Sequence, residues 1–473
     1  MKFVKHTFVL CVVLAIVIPL FFPKGASSIT VQKEDELARE FMKYVLRQFE
    51  LIKDPFIVEY VNNLGQKINA VIPDQNYKYY FYVIKEDTYN AFAGPGGHIF
   101  INSGLFEAME SEEELVGILS HEIAHVECRH ISQRIERSSK IQLGTLAGII
   151  AGALLGGAGA GTAASAVATG ALAAGQSISL AYSRENERQA DQIGLIYLNK
   201  SGYSAEGLLA ALKKIRSKQW FNSKQIPTYL TTHPASEERM AYIDTWIERN
   251  EQNKQKYPPT DPRRFQMAHT RLFALYGNES TVLSTFESKV KKFPDDFSTL
   301  YGYGLILGRT GNRKDAVRYL KKALEKKAFD PILLSDLGRI YFTDGRYSEA
   351  LTTLNGAVDG NIYYPEGLFY LGRTQMELEQ LEDAVSSFEK LIVRYPHYSQ
   401  AYYYLGETYG KQGELGNAHY YLGIYYIGQG RMKNGKFHLN KALNHLSDPD
   451  KKHKTEEMLA KLGKDPEKPD KED

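Results

Sequence analysis

Cysteine is scarce in this chain of 473 residues. The chain contains only Cys11, within an apolar run near the N-terminus, and Cys128. If the N-terminal run is removed during export, Cys128 has no partner, which excludes an intrachain disulfide. A chain of this length buries a core large enough to fold without one. We therefore expect Cys128 to be a buried apolar residue rather than a metal ligand.

An excess of charge of either sign is also absent. The 58 Lys and Arg residues almost balance the 56 Asp and Glu residues, which leaves a formal net charge of +2. Such a chain offers no basic surface of the kind that binds nucleic acid, so we expect no nucleic-acid partner. The composition, 43% hydrophobic and 24% charged, is typical of a folded protein with two or three domains.

Charged residues are missing altogether between Lys140 and Arg184. This segment, residues 141–183, is rich in Ala and Gly, and a glycine-rich stretch at 156–161 divides it into two predicted helices. Three interpretations remain open: a closely packed buried hairpin, a hairpin that touches the membrane, and a lid over an active site. Length and composition favour the buried hairpin.

The first 28 residues have the pattern of a secretory signal peptide. Lys2 and Lys5 provide a basic start, residues 8–22 form the apolar run, and small residues precede a cleavage position near Ser28. Cleavage there removes three lysines and no acid, so the formal net charge falls by three, from +2 to −1. An uncleaved membrane anchor is the alternative.

The strongest chemical signal in the sequence is His121-Glu122-Ile123-Ala124-His125. Ser111 followed by three glutamates, and then an apolar stripe, predicts that this motif lies on a helix. Residues four apart share a helix face, so both imidazoles reach one ion. Glu122 then lies beside that ion as a base for the attacking water. A catalytic zinc still needs a third protein ligand.

The best third ligand lies in the Glu/Arg-rich segment 183–191. Glu187 and Asp191 are again four residues apart on a predicted helix. Glu187 is placed to bind the metal, while Asp191 accepts a hydrogen bond from a ligand imidazole and fixes its tautomer. Alone, this segment is an ordinary solvated helix face; the histidine motif makes the ligand interpretation preferable. We predict one zinc ion per chain, bound by His121, His125 and Glu187.

Two short segments before the motif are predicted strands, at residues 79–83 and 98–101. The sequence Gly-Pro-Gly-Gly at 94–97 predicts a turn between them. A strand that precedes an active-site helix often provides an edge along which an extended substrate pairs its backbone. We predict such a substrate edge from the following residues: Asn90, His98, Ile99, Phe100 and Ile101.

Glycine and alanine recur with a period of 34 residues in the C-terminal half. This is the tetratricopeptide period, with small residues where paired helices touch. A degenerate first repeat precedes the regular ones at residues 263–297. The recurring residues are Gly304, Gly338, Gly372 and Gly406, and Ala316, Ala350, Ala384 and Ala418.

These segments together resemble the gluzincin peptidases related to HtpX and the CAAX prenyl proteases, above all their BepA-like periplasmic members. The likeness rests on the His-Glu-x-x-His and Glu-x-x-Ala-Asp motifs, on Asn-Ala-Phe-Ala-Gly-Pro-Gly-Gly at 90–97, on Thr232-His233-Pro234 with Arg239, and on the repeats. It implies a zinc metalloendopeptidase of the periplasm. It also implies a role in quality control of outer-membrane proteins.

The resemblance places His233 at the active-site cleft in one of two roles. His233 either donates a hydrogen bond to the tetrahedral oxyanion, with Arg239 adding positive charge, or occupies a fourth zinc position. In the second case the site stays inactive until substrate displaces the imidazole. The sequence leaves both roles open.

The predicted fold is mainly α with a small β-sheet. A signal peptide (1–28) precedes a zincin-type α+β metalloprotease domain (29–256), an all-α tetratricopeptide solenoid (263–460) and a disordered charged tail (461–473). The expected partners are unfolded or misassembled envelope proteins and, through the repeats, outer-membrane assembly machinery. Peripheral membrane contact through 141–183 is a further expectation. The alternatives are a chaperone scaffold with a latent metal site and a membrane-embedded peptidase.

Overall fold

A computed structural model describes residues 31–73, 76–137, 182–221, 228–250, 257, 260–359 and 364–463. The predicted signal peptide and nearly all of the uncharged segment 141–183 lie outside the described residues. Within the described ranges, no helix has the length and apolar character needed to cross a membrane. The chain forms two compact units: residues up to Ile52 with Tyr60–Pro262, and Lys53–Glu59 with the residues from Arg263 onward.

The first unit packs helices around a three-stranded sheet. The sheet consists of β1 (Tyr80–Ile84), β2 (Ala91–Ala93) and β3 (His98–Asn102), and a 3-10 turn at Pro95–Gly97 connects β2 to β3. The helices up to residue 250 are α1 (Val31–Gln48), α2 (Pro55–Asn69), α3 (Ser103–Ala108), α4 (Glu112–Glu127), α5 (His130–Arg137), α6 (Arg184–Lys200), α7 (Glu206–Phe221), α8 (Thr228–Thr232) and α9 (Glu237–Asn250).

The strand order in the sheet is β1-β3-β2, so β3 is the middle strand. It pairs in parallel with β1, with Tyr80 opposite His98, and antiparallel with β2, with Ala93 opposite Ile99. The prediction of a substrate edge at His98–Ile101 is therefore wrong, because both sides of that backbone are already paired. Asn90 is buried just before β2, which is one of the two outer strands of this sheet among the described residues.

Helix α4 is the central element of the first unit, and it is buried from Leu115 to Val126. It begins where the Ser111 side chain accepts a hydrogen bond from the Glu114 backbone N–H at 3.2 Å, as a helix N-cap does. It touches α7 backbone to backbone: a Cβ on Gly117 would lie 2.6 Å from the Leu208 nitrogen. Glycine at this crossing brings the helix that carries the histidine motif into the centre of the unit.

The second unit is a stack of antiparallel helix pairs. A glycine in the first helix of a pair faces a large side chain in the second: a Cβ on Gly338 would lie 2.4 Å from Leu354, and one on Gly372 would lie 2.8 Å from Phe388. This contact explains the period of 34 residues. The helices are α10 (Pro262–Tyr276), α11 (Glu279–Lys292), α12 (Phe297–Arg309), α13 (Arg313–Lys326), α14 (Pro331–Thr343), α15 (Tyr347–Val358), α16 (Pro365–Glu377), α17 (Leu381–Arg394), α18 (Ser399–Lys411), α19 (Leu415–Gly428), α20 (Met432–His445) and α21 (Pro449–Gly463).

Two boundaries differ from the sequence-based assignment. Residues 53–59 group with the second unit, where the Arg271 guanidinium donates to the Asp54 carboxylate at 2.7 Å. The same guanidinium donates to Asp336 at 2.5 Å and to the Tyr301 hydroxyl at 2.9 Å. The last helix continues to Gly463, so the predicted disordered tail does not begin at residue 461. The helix that packs at the end of the stack extends past that point. Residues 464–473 lie outside the described residues.

Candidate metal centre

Four side chains from three elements converge at the centre of the first unit. One ligand atom each from His121, His125, Glu187 and His233 lies within 4.8 Å of every other, and all four residues are buried. Helix α4 supplies the two imidazoles one turn apart, and α6 supplies the carboxylate. Oxygens of Glu187 lie 3.5 Å from Nε2 of His121 and 3.3 Å from Nε2 of His125. Imidazole nitrogens and a carboxylate oxygen are among the ligands that bind zinc in proteins.

Behind these ligands, Asp191 and Arg239 form a buried ion pair. The Arg239 guanidinium donates to Asp191 at 2.6 and 2.8 Å, and its Nη1 lies 2.5 Å from Oε2 of Glu187. Asp191 Oδ1 lies 3.0 Å from Nδ1 of His121, where it fixes the ring so that Nε2 faces the cluster. Arg239 thus pairs with two carboxylates. This differs from the sequence-based expectation that Arg239 adds positive charge next to the oxyanion.

The pKa values of the Glu187 and Glu122 side chains are shifted in opposite directions. Burial alone would raise the pKa of Glu187, but the Arg239 guanidinium and neighbouring imidazoles outweigh it and hold that pKa well below its usual range. Burial raises the pKa of Glu122 to about 7 in the metal-free protein. Glu187 is therefore an anion suited to bind a cation, whereas Glu122 is poised to take and give a proton near neutral pH.

His233 follows α8 and presents Nε2 to the cluster. The Thr232 hydroxyl donates to the Tyr229 carbonyl at 3.1 Å and lies 2.9 Å from Nδ1 of His233. Because that hydroxyl has a single proton, its oxygen accepts from Nδ1–H, and Nε2 keeps a free lone pair. Tyr229 stacks on the imidazole with ring centroids 4.6 Å apart and fixes its plane. Among the described residues, no hydrogen-bond donor reaches this Nε2.

Seven of the predicted site residues thus lie together, and the predicted substrate-edge residues do not join them. The seven share one buried site, in which they have different roles, and they are the following residues: His121, Glu122, His125, Glu187, Asp191, His233 and Arg239. His98 lies apart from them, packed against Tyr80 and Tyr82 with ring centroids 5.0 and 5.6 Å away. The residues at 99–101 contribute backbone pairing to the middle of the sheet rather than a free edge.

Sequence reasoning missed His130 and Tyr182. His130 lies 2.9 Å from His125, measured between their Nδ1 atoms. The Tyr182 ring packs against the His125 ring in a tilted arrangement with a centroid distance of 3.9 Å, and the Tyr182 backbone N–H donates to the Thr232 carbonyl at 2.9 Å. The spacing of His130, five residues after His125, matches no same-face helical position, so periodicity gave no signal for it.

Comparison with known proteins agrees with this geometry. Residues 57–247 match the model of peptidase family M48, and residues 301–365 and 370–431 match a tetratricopeptide repeat model. The chain carries a family M48 peptidase domain followed by tetratricopeptide repeats. The M48 match includes every residue of the metal cluster, and it agrees with the predicted enzyme class, a metallopeptidase. The predicted fold class, a mainly α chain with a small sheet and a repeat solenoid, is confirmed.

Several curated proteins are similar to this chain. It is 26% identical over 324 residues to the beta-barrel assembly-enhancing protease of Yersinia pestis, covering 68% of this chain and 63% of that protein. It is 23% identical over 234 residues to the mitochondrial metalloendopeptidase OMA1 of Schizosaccharomyces pombe, covering 49% of this chain and 66% of that protein. The match thus spans less than two thirds of the length of these relatives. Among solved structures, PilF of Pseudomonas aeruginosa is 17% identical with a TM-score of 0.34, covering 42% of this chain and 91% of that chain.

Proposed function

We propose that this chain is an exported zinc metalloendopeptidase whose resting site is closed by His233. The observation that carries the proposal is the convergence of four ligand atoms within 4.8 Å, with Glu122 beside them. A set of buried imidazoles and one anionic carboxylate fits a divalent cation. Nε2 of His233 is buried and has no hydrogen-bond donor among the described residues, and a buried lone pair without a partner is costly unless a cation binds it. One zinc per chain would be held by His121, His125 and Glu187.

Bound zinc would act as a Lewis acid towards the scissile carbonyl. The residues of the chain supply the proton transfers and the orientation. Glu122 takes a proton from the attacking water and later delivers it to the leaving amine, a role that suits a carboxyl whose buried position raises its pKa to about 7. Asp191 holds His121 in the ligand tautomer, and Arg239 keeps Asp191 and Glu187 ionised.

The free lone pair on Nε2 of His233 supports the fourth-ligand role over the oxyanion-donor role. A donor to an oxyanion needs a proton on Nε2, whereas the Thr232 contact places the proton on Nδ1. A zinc site with four protein ligands is a closed, structural type of site. Activity then requires His233 to leave the cluster when a substrate binds.

We further propose that the substrates are unfolded or misassembled envelope proteins, bound in part by the repeats, in the periplasm. The support is the name of the Yersinia pestis relative, a beta-barrel assembly-enhancing protease, together with a repeat type that binds protein chains. Contact of the repeats with outer-membrane assembly machinery belongs to the same proposal. The closed four-ligand cluster also favours a second function, a chaperone scaffold that binds partners while its metal site is latent.

The test compares proteolysis by the purified full chain with zinc content. An unfolded outer-membrane protein serves as substrate, and the variants are His233→Ala, Glu122→Gln and the double variant. Glu122→Gln should retain zinc and lose activity by about 10²–10⁴-fold in the His233→Ala background, since general acid–base catalysis contributes that much. Zinc chelation should abolish cleavage, and zinc should restore it. Full activity of the double variant contradicts the mechanism; cleavage by no variant, with partner binding intact, favours the scaffold.

A further inference from the structure

The two imidazoles on α4 are held by different partners. His121 contacts the Asp191 carboxylate at 3.0 Å. His125 instead contacts a second imidazole, that of His130, with 2.9 Å between the Nδ1 atoms. Nε2 of His130 lies 3.1 Å from Oε1 of Gln189 on α6. A chain of three side chains therefore leads from His125 outward to the surface of the unit.

An unusual turn brings His130 to this position. Helix α4 ends at Glu127, and Arg129 adopts a left-handed conformation with φ of 55°. For a residue with a side chain, that conformation is strained, because Cβ lies too close to the following carbonyl oxygen. The turn reverses the chain, and α5 begins at His130 with its ring packed against His125 at a centroid distance of 4.9 Å. Without the turn, a continued helix would carry residue 130 to another face.

The protonation of His125 determines which nitrogen atoms carry protons in the series His125, His130 and Gln189. Nε2 of His125 faces Glu187 at 3.3 Å, on the cluster side of the ring. Once Nε2 binds a cation, Nδ1 of His125 carries the ring proton and donates to Nδ1 of His130. His130 then carries its own proton on Nε2 and donates it to the amide oxygen of Gln189. Every donor in the chain has an acceptor, and no member needs a charge.

We propose that His130 and Gln189 form a neutral relay that fixes the ring orientation and tautomer of His125, which makes His130 a positioning residue for metal binding. The inference rests on the proposed metal site and adds a second support to it. His121 is oriented by an anion paired with Arg239, whereas His125 is oriented by neutral groups. Loss of a group that orients a metal ligand weakens metal affinity by about 10–100-fold.

The test measures zinc affinity of the metal-free full chain by competition with a fluorescent zinc indicator. His130→Leu should weaken zinc binding about 10–100-fold, whereas His130→Asn should restore most of it, because its amide oxygen takes the place of Nδ1 as acceptor. His98→Leu removes an imidazole from the same unit and should leave zinc affinity unchanged. Equal zinc affinity of wild type and His130→Leu overturns the relay while the metal site stands.

A second pair of variants protects the test from misfolding at the buried position. Gln189 lies on the exposed face of α6, so its substitution leaves the core intact. Gln189→Glu keeps an acceptor and should retain zinc affinity. Gln189→Lys offers only donors, opposes the proton on Nε2 of His130, and should weaken binding. Equal affinities for these two variants contradict the relay, and failure of the wild type to bind zinc overturns the proposed function as well.

Discussion

Nε2 of His233 lies 3.6 Å from Oε1 of Glu122 in the buried centre of the first unit. Among the described residues, neither atom has a hydrogen-bond partner. The fourth candidate ligand and the candidate base thus face the same small space. A substrate carbonyl and the attacking water need that space, so the position of His233 decides whether the site is open or closed.

His233→Ala should increase proteolysis of an unfolded outer-membrane protein by the purified full chain. The substitution removes the imidazole that closes the fourth position and leaves His121, His125 and Glu187 in place. Initial cleavage rates and zinc content are measured together. A fall in activity with zinc retained would assign His233 to the oxyanion instead.

Thr232 provides matched variants for this prediction. Thr232→Ser keeps the hydroxyl that accepts from Nδ1–H of His233, so its activity should equal that of the wild type. Thr232→Val removes the acceptor, which weakens the tautomer with a free Nε2 and should raise activity part of the way towards the His233→Ala level. Equal rates for the Ser and Val variants would contradict the tautomer argument.

Zinc binding at pH 8 should release close to one proton. Burial lowers the pKa of His121, but Asp191 and Glu187 outweigh this effect and raise it to about 9 in the metal-free protein. Burial lowers the pKa of His125 to about 3, and it holds the pKa of His233 well below its usual range. One ligand imidazole is therefore protonated before zinc displaces its proton.

The proton release is measured by adding zinc to metal-free protein in weak buffer with a pH indicator. Since the raised pKa makes the proton compete with the metal, apparent zinc affinity should increase as the pH rises towards 9. Asp191→Asn removes a group that raises the pKa of His121, so this variant should release fewer protons. Zinc uptake without any release would show that His121 is already neutral.

Arg271→Leu should destabilise the second unit by about 3–5 kcal/mol, because it leaves the buried Asp54 carboxylate without its cation and removes the nearer of the two cations that pair with Asp336. Hydrogen exchange in α10 and α14 reports this local loss. Arg264→Leu is the control, since its pairing with Glu59 at 3.4 Å is solvent-exposed and contributes at most about 1 kcal/mol. Similar protection in the two variants would refute the structural role of the Arg271 cluster.

Local periodicity predicted much of this molecule. The i, i+4 spacing of His121 with His125, and of Glu187 with Asp191, follows from helix geometry once the flanking residues indicate a helix. The glycines at a spacing of 34 predicted paired helices because each pair needs a small residue at the same crossing. Strand order has no such local pattern. The residues at 98–101 predict a strand, but only the fold shows that this strand lies between β1 and β2.

The sequence by itself determined the ligand types, their pairing on helices and the order of the two domains' motifs, because these depend on contacts within a few turns of chain. Tertiary structure decided the rest. It brought His233 to within 3.6 Å of Glu122, turned Arg239 towards Asp191 and Glu187, and folded His130 back onto His125. These contacts join distant segments or depend on a left-handed turn, and both are fixed by packing that no local pattern encodes.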